Sequence, residues 1–187
     1  MSLTFIILGS LGLGILILFA IFFVTSYNNL IGKKELVANS KSQVAAQLES
    51  RFDALKSLIA ATKQYTSKEA ETLENIVKQR TKLSGNMSAE DNKKAEEIYQ
   101  SSMSKLIAVS ESYPELKSNE LYMKSMNSID EYEKNVRLAR MSYNDTVTIY
   151  NRLVISIPTN IIASITGFSK EVYFETSEEK RNIPSWD

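Results

Sequence analysis

The chain has 187 residues, its 22 basic and 22 acidic side chains balance, and it contains neither cysteine nor histidine. A neutral balance without a basic stripe offers no electrostatic draw toward nucleic acid. The missing residue types exclude disulfides, thiolate nucleophiles, zinc–thiolate sites, Ser-His-Asp triads and HExxH chemistry.

The first charged side chain is Lys33, and every residue from Leu3 to Val24 is apolar or small and uncharged. These 22 residues make a helix of about 33 Å, enough to cross a hydrocarbon core of about 30 Å. An uncleaved transmembrane anchor is predicted. A cleaved signal peptide would need a charged n-region, a shorter apolar run and a small-residue cleavage site. Lys33, Lys34 and Lys41 follow the span and no charge precedes it, which predicts an outside N-terminus and a cytoplasmic bundle. Residues 1–32 read as anchor and juxtamembrane turn, 33–175 as one helical-bundle domain able to bury a core, and 176–187 as a polar tail.

Val37, Lys41, Val44, Leu48, Phe52, Leu55, Ile59 and Thr62 recur at three- and four-residue spacing. That predicts an amphipathic helix continuing the span without a linker, so anchor and domain form one rod. Thr66 and Glu69 have the capping-box spacing, so a second helix is expected to run to Leu83, stopped by Ser84-Gly85-Asn86. Ser88 and Asp91 repeat that spacing before a third helix carrying Ile98, Leu106, Val109 and Tyr113, which Pro114 ends. In the fourth, Ile129, Val136, Tyr143, Tyr150 and Ile157 recur every seven residues. Tyr132, Ala139, Thr146 and Leu153 interleave with them, giving an a/d seam of about four heptads. Pro158 closes it, a short apolar helix covers Ile161 to Ile165, and Gly167 is placed to cap that helix in the left-handed conformation. The expected fold is all-α: an N-terminal transmembrane helix continuing into an antiparallel bundle of about four long helices.

Arg51, Asp53, Arg80, Glu133 and Arg140 fall on or near these apolar stripes. They read either as interhelical ion pairs that fix register or as a polar site inside the bundle. The absence of histidine and cysteine favours ion pairs. Arg51 and Asp53, two positions apart, cannot share one helix face. Tyr143-Asn144 and Tyr150-Asn151 repeat a dipeptide one heptad apart. The tyrosines are expected to pack against a facing helix, while Asn144 and Asn151, about 100° further round, bond across a helix interface. A small polar pocket or a homotypic contact is the alternative. Ser10 and Gly14 form a small-xxx-small pair, which lets two spans approach closely. Trp186 sits in the tail near Glu178, Glu179, Lys180 and Arg181.

Taken in order, several of these residues carry a family resemblance. They begin with Tyr27-Asn28 after the span, Gln47-Leu48, Arg51 through Asp53, Tyr65, Glu69 and Arg80. The stretch SESYPELKSN from Ser110 to Asn119 follows, then Glu133, Ala139-Arg140, both Tyr-Asn dipeptides, Pro158, Asn160, Gly167-Phe168, Phe174 and Pro184. Over most of residues 27–186 the chain resembles the LemA family, small bacterial proteins with one N-terminal span and a helical bundle. The family usually carries Leu-Ile-Pro-Asn-Leu where this chain has Ala54-Leu55-Lys56-Ser57-Leu58. A proline that would kink the first helix is thus missing. The resemblance implies an extracytoplasmic N-terminus, a cytoplasmic bundle and no established enzymatic activity.

The functional expectation is a membrane-anchored scaffold or interaction module that self-associates and engages an unidentified protein partner, with no nucleic acid, cofactor, metal or catalytic residue assigned. The rival is an enzyme or ligand sensor using a polar pocket near Arg51, Asp53, Arg80 and Arg140. Carboxylates or lysines of perturbed ionisation converging in a cleft would mark that rival.

Overall fold

The computed structural model describes residues 3–78 and 89–174, with side chains over 7–78 and 91–174. Arg80, Leu83, the turn at Ser84-Gly85-Asn86, Ser88, Trp186 and the tail from 176 to 187 lie outside the described residues. Among the described residues all regular structure is helical.

The first helix, α1, runs Leu3–Thr62. Ala54 through Leu58 stays helical, because without a proline no i−4 hydrogen bond is lost there. Side chains from Ile7 to Ile21 are exposed, and the helix that carries them is long and apolar enough to cross a membrane. Burial then becomes one-sided. Val37, Val44, Leu48, Phe52, Leu55, Ile59 and Thr62 are buried at the expected spacing, and Lys41 is half-buried.

Backbone bonds from the Tyr65 and Thr66 N–H groups to the Thr62 carbonyl turn the chain into α2, Ser67–Lys78. Glu69 in its first turn and Lys78 in its last match the helix dipole, and Ala70, Leu73 and Val77 are its buried stripe. Helix α3, Ala89–Ser112, buries Ala95, Tyr99 and Leu106 together with Ser102 and Ser110. The two serine hydroxyls donate to their own helix's carbonyls of Ile98 and Ile107, both at 2.8 Å, so neither is left unsatisfied. Pro114 does more than end α3. It opens a one-turn helix, α4, Pro114–Lys117, at the position where a missing N–H costs nothing. Asn119 Oδ1 then accepts the Tyr122 N–H at 3.1 Å, capping α5, Glu120–Ile155.

Ile129, Val136, Tyr143 and Tyr150 of the seam are buried on α5, whereas Ile157 is 84% exposed. The seven-residue recurrence therefore has four of its five members buried, because α5 stops at Ile155 and the helical phase is lost in the turn before Pro158. The interleaved Tyr132, Ala139, Thr146 and Leu153 are half-buried. Helix α6, Thr159–Thr166, ends at Gly167 with φ +78°, as its placement required. The Phe168 N–H reaches back to the Ala163 carbonyl at 2.9 Å, the closure a left-handed glycine permits.

The described residues fall into two compact units. One holds α1 up to Val37 together with Asn144–Tyr173, and its core is Leu30, Ile162 and Ala163 with Phe22, Phe23, Leu153, Val154 and Phe168 around them. The other holds Ala38–Tyr143 and Phe174. Its core gathers Phe52, Leu55, Leu58, Ile59, Leu73, Tyr99, Leu106, Leu116 and Ile129 from five helices. Within it α1 and α5 run antiparallel. Arg51 and Arg140 share one carboxylate, while further along α1's direction Asn119 Nδ2, at the start of α5, donates to the Tyr65 hydroxyl at 3.4 Å.

Candidate functional site

Among the charged residues singled out from sequence, Arg51 and Arg140 are brought together by a residue that had not been singled out, Glu96 of α3. Glu96 Oε2 accepts from Arg51 Nη2 at 2.8 Å and from Arg140 Nη2 at 3.3 Å. Gln100, one turn on, donates to the other oxygen at 3.0 Å. The Arg51 guanidinium also lies over the Tyr99 ring, 3.8 Å from its centroid, and that ring meets Phe52 edge-on at 5.8 Å. Three helices are thus pinned at one level by charge and ring contacts.

Arg51 is only 3% exposed, so its charge needs a fixed counter-ion. Burial works against the Glu96 carboxylate. Arg51's charge and hydrogen bond, Gln100 and Arg140 outweigh burial and hold the group at about 2. Burial lowers the Arg140 guanidinium against the pull of Glu96. Burial also pushes the Tyr99 hydroxyl upward, keeping it protonated. General acid–base work asks for a group poised near neutrality. Glu96 is shifted the other way, into a permanent charge suited to an ion pair.

Asp53 points elsewhere: it is exposed and pairs with Lys56 one turn away on its own helix at 2.6 Å. Its two-residue offset from Arg51 puts it on the far face, as the helical geometry required. Glu133 is half-buried and close enough to Tyr99 for its charge to act on that hydroxyl. Arg80 lies outside the described residues. An open groove of about 420 Å³ between α1 and α5 is lined by Ser50, Asp53, Ser57, Lys124, Ser125 and Tyr132 among others, and none of Arg51, Glu96 and Arg140 faces it. The shifted carboxylate and the cleft are therefore separate features.

The Tyr-Asn repeat has a partner that periodicity does not announce: the non-helical segment after Gly167, where a facing helix was expected. In the unit that holds the apolar end of α1, Asn151 is buried and clamps the backbone of Glu171 at both ends. Its Nδ2 donates to the Glu171 carbonyl at 2.9 Å, and its Oδ1 accepts the Glu171 N–H at 2.8 Å. The Tyr150 hydroxyl donates to the Ser169 carbonyl at 2.9 Å. In the bundle unit, Tyr143 meets Phe174 edge-on at 4.6 Å. Asn144 is half-buried, and its carbonyl accepts from the Thr148 hydroxyl. Ser10 is exposed with its hydroxyl bonded to the Ile7 carbonyl, and a Cβ added at Gly14 would meet no atom within 4 Å.

Against known proteins, the family model of the LemA family matches residues 40–187. Protein LemA of Metamycoplasma hominis is 27% identical over 166 residues, covering 88% of this chain and 75% of that protein. Magnetosome protein MamQ 2 of Paramagnetospirillum magneticum is 36% identical over 73 residues, 39% of this chain and 27% of the relative. Magnetosome protein MamQ of Magnetospirillum gryphiswaldense is 31% identical over 72 residues, 38% and 26% respectively. The chain spans about a quarter of the length of the magnetosome relatives it matches.

Proposed function

The chain belongs to the LemA family, and from that premise we propose that it is a membrane-anchored scaffold that self-associates through its span and holds its bundle in fixed register for a protein partner. The observation that carries this reading is α1 itself: one helix contributes both the exposed apolar stretch around Leu8 to Leu18 and the buried Phe52, Leu55 and Ile59 of the bundle. Ser10 and Gly14 leave a shallow place on the exposed stretch where a second span can approach. The neutral chain carries no net charge to keep copies apart, and confinement to a membrane raises their local concentration.

Register comes from the Arg51–Glu96–Arg140 cluster, whose worth lies in specifying one arrangement of three helices. A carboxylate held at about 2 supports the structural reading over an acid–base one. Lys33, Lys34 and Lys41 support a cytoplasmic bundle and an outside N-terminus.

The test is the assembly state of the full chain in detergent. The chain is expected to migrate as an oligomer, and Gly14→Ile, which bars close approach of spans, should shift it toward monomer. A chain that stays monomeric at high concentration, or an oligomer indifferent to Gly14→Ile, defeats self-association through the span. A reporter fused after Asp187 should behave as cytoplasmic, and export-dependent activity there defeats the orientation.

A further inference from the structure

Between Arg152 and Lys170 no side chain is charged, and this stretch carries α6. A short helix on a soluble surface turns an apolar stripe inward and a polar one outward. Here the outward side is largely apolar as well, with the exposed Ser164 its one uncapped polar side chain. Ile162 and Ala163 are buried on Leu30, yet Ile161 is 58% exposed, and Ile165, one turn further on the same face, is 72% exposed. Ile155 and Ile157 extend that exposed surface at the preceding turn. The segment's threonines do not need water either. Thr159 donates to the carbonyls of Leu153 and Ser156, at 2.7 and 2.8 Å, and Thr166 to that of Ile162 at 2.6 Å.

We propose that Leu153–Phe168 is a second membrane contact, in which α6 and the Ile157 turn lie in the boundary between lipid headgroups and acyl chains beside the span. The proposal rests on reading α1 as that span. Depth follows from packing within one unit. The cluster that buries Ile162 and Ala163 includes Phe22 and Phe23, which stand at the end of the uncharged apolar run, and Leu30, about 9 Å beyond Val24 along the helix. That cluster therefore straddles the level at which hydrocarbon gives way to headgroups. Aromatic rings and lysines suit the same level. Tyr27 meets Phe168 edge-on at 5.9 Å, and Lys34 lies 5.5 Å from the Phe168 centroid. Lys33, Lys34, Arg152 and Lys170 flank the apolar surface as counter-charges for anionic headgroups.

Because the chain has no cysteine, each introduced one is unique. The full chain carrying Ile161→Cys or Ile165→Cys, labelled with an environment-sensitive dye, is reconstituted into vesicles of phosphatidylcholine and phosphatidylglycerol. Quenching by nitroxide lipids and by aqueous iodide is then compared. Leu13→Cys reports on the span, and the exposed Leu138→Cys reports on the water-facing bundle. Dyes at 161 and 165 are expected to be quenched several-fold more by nitroxide near the headgroup than the dye at 138, and shielded from iodide. Iodide access equal to that at 138, with Leu13 still quenched by lipid, overturns the proposal and leaves the span intact. Loss of lipid quenching at 13 overturns the span reading, and the proposal with it. Shielding from both quenchers would mean that a second copy covers this face, and overturns the assignment to lipid.

Discussion

Glu96→Gln removes one charge and almost no volume, so it isolates what the ion cluster contributes. Folding lowers this carboxyl from the ordinary 4.5 to about 2. At about 1.36 kcal/mol per pH unit that difference corresponds to roughly 3 kcal/mol of folding free energy. The Glu96 side chain keeps 31% of its exposure, and solvent screening brings the figure to about 2 kcal/mol. The sign follows from the direction of the change. A carboxyl lowered by folding stabilises fully above its unfolded value and loses that contribution as pH falls from 4.5 toward about 2. At neutral pH the glutamine variant also strands Arg51, which is 3% exposed, beside Arg140 with no counter-charge between them. The expected destabilisation is therefore about 2 to 4 kcal/mol. The assay is thermal unfolding of the full chain in detergent micelles, followed by far-UV circular dichroism across the acid range. Wild type and variant should differ at neutral pH and converge near the pH at which Glu96 protonates. Arg51→Met, which keeps the stem over Tyr99 and leaves Glu96 partly solvated, should cost less, about 1 to 2 kcal/mol. A difference between wild type and Glu96→Gln that is the same at every pH, or none at neutral pH, refutes the linkage.

Tyr143→Ala, buried and edge-on to Phe174, should lower unfolding free energy by about 2 to 5 kcal/mol in the same assay, while the exposed Ile157→Ala should stay within about 0.5 kcal/mol. Gly167→Ala places a Cβ at φ +78° and should cost about 1 kcal/mol by denaturant unfolding, although no neighbouring atom obstructs it. Asn151→Ala breaks both bonds to the Glu171 backbone, so hydrogen exchange at the Glu171 amide should accelerate at least tenfold while amides of α3 keep their protection.

What was legible in the sequence follows from how far apart the interacting residues stand. The phase of α1 from Val37 to Thr62, the buried seam of α5 and the cap at Gly167 are local patterns, set by spacings of three, four and seven or by one residue's tolerance of positive φ. The ion cluster is not local. Its two arginines stand on apolar stripes and could be noticed, but their shared partner sits 45 and 44 residues away among the charges of Lys93 to Gln100, whose spacing does not single out Glu96. One signal was there: Glu96 is flanked by Ala95 and Tyr99, the buried positions of that helix, so its carboxylate emerges at the rim of the core. Asp53 illustrates the converse, since adjacency to Arg51 in sequence puts it on the opposite side of the helix and into a local pair with Lys56. The Tyr-Asn repeat lies between these cases. Its seven-residue period fixes which side of α5 the tyrosines occupy, but the groups they hold belong to a segment without periodicity, whose carbonyls and N–H groups carry no residue signature. A repeat of side chains can thus announce that a helix face is engaged well before it says by what, and here the answer is backbone for Tyr150 and Asn151 and the Phe174 ring for Tyr143.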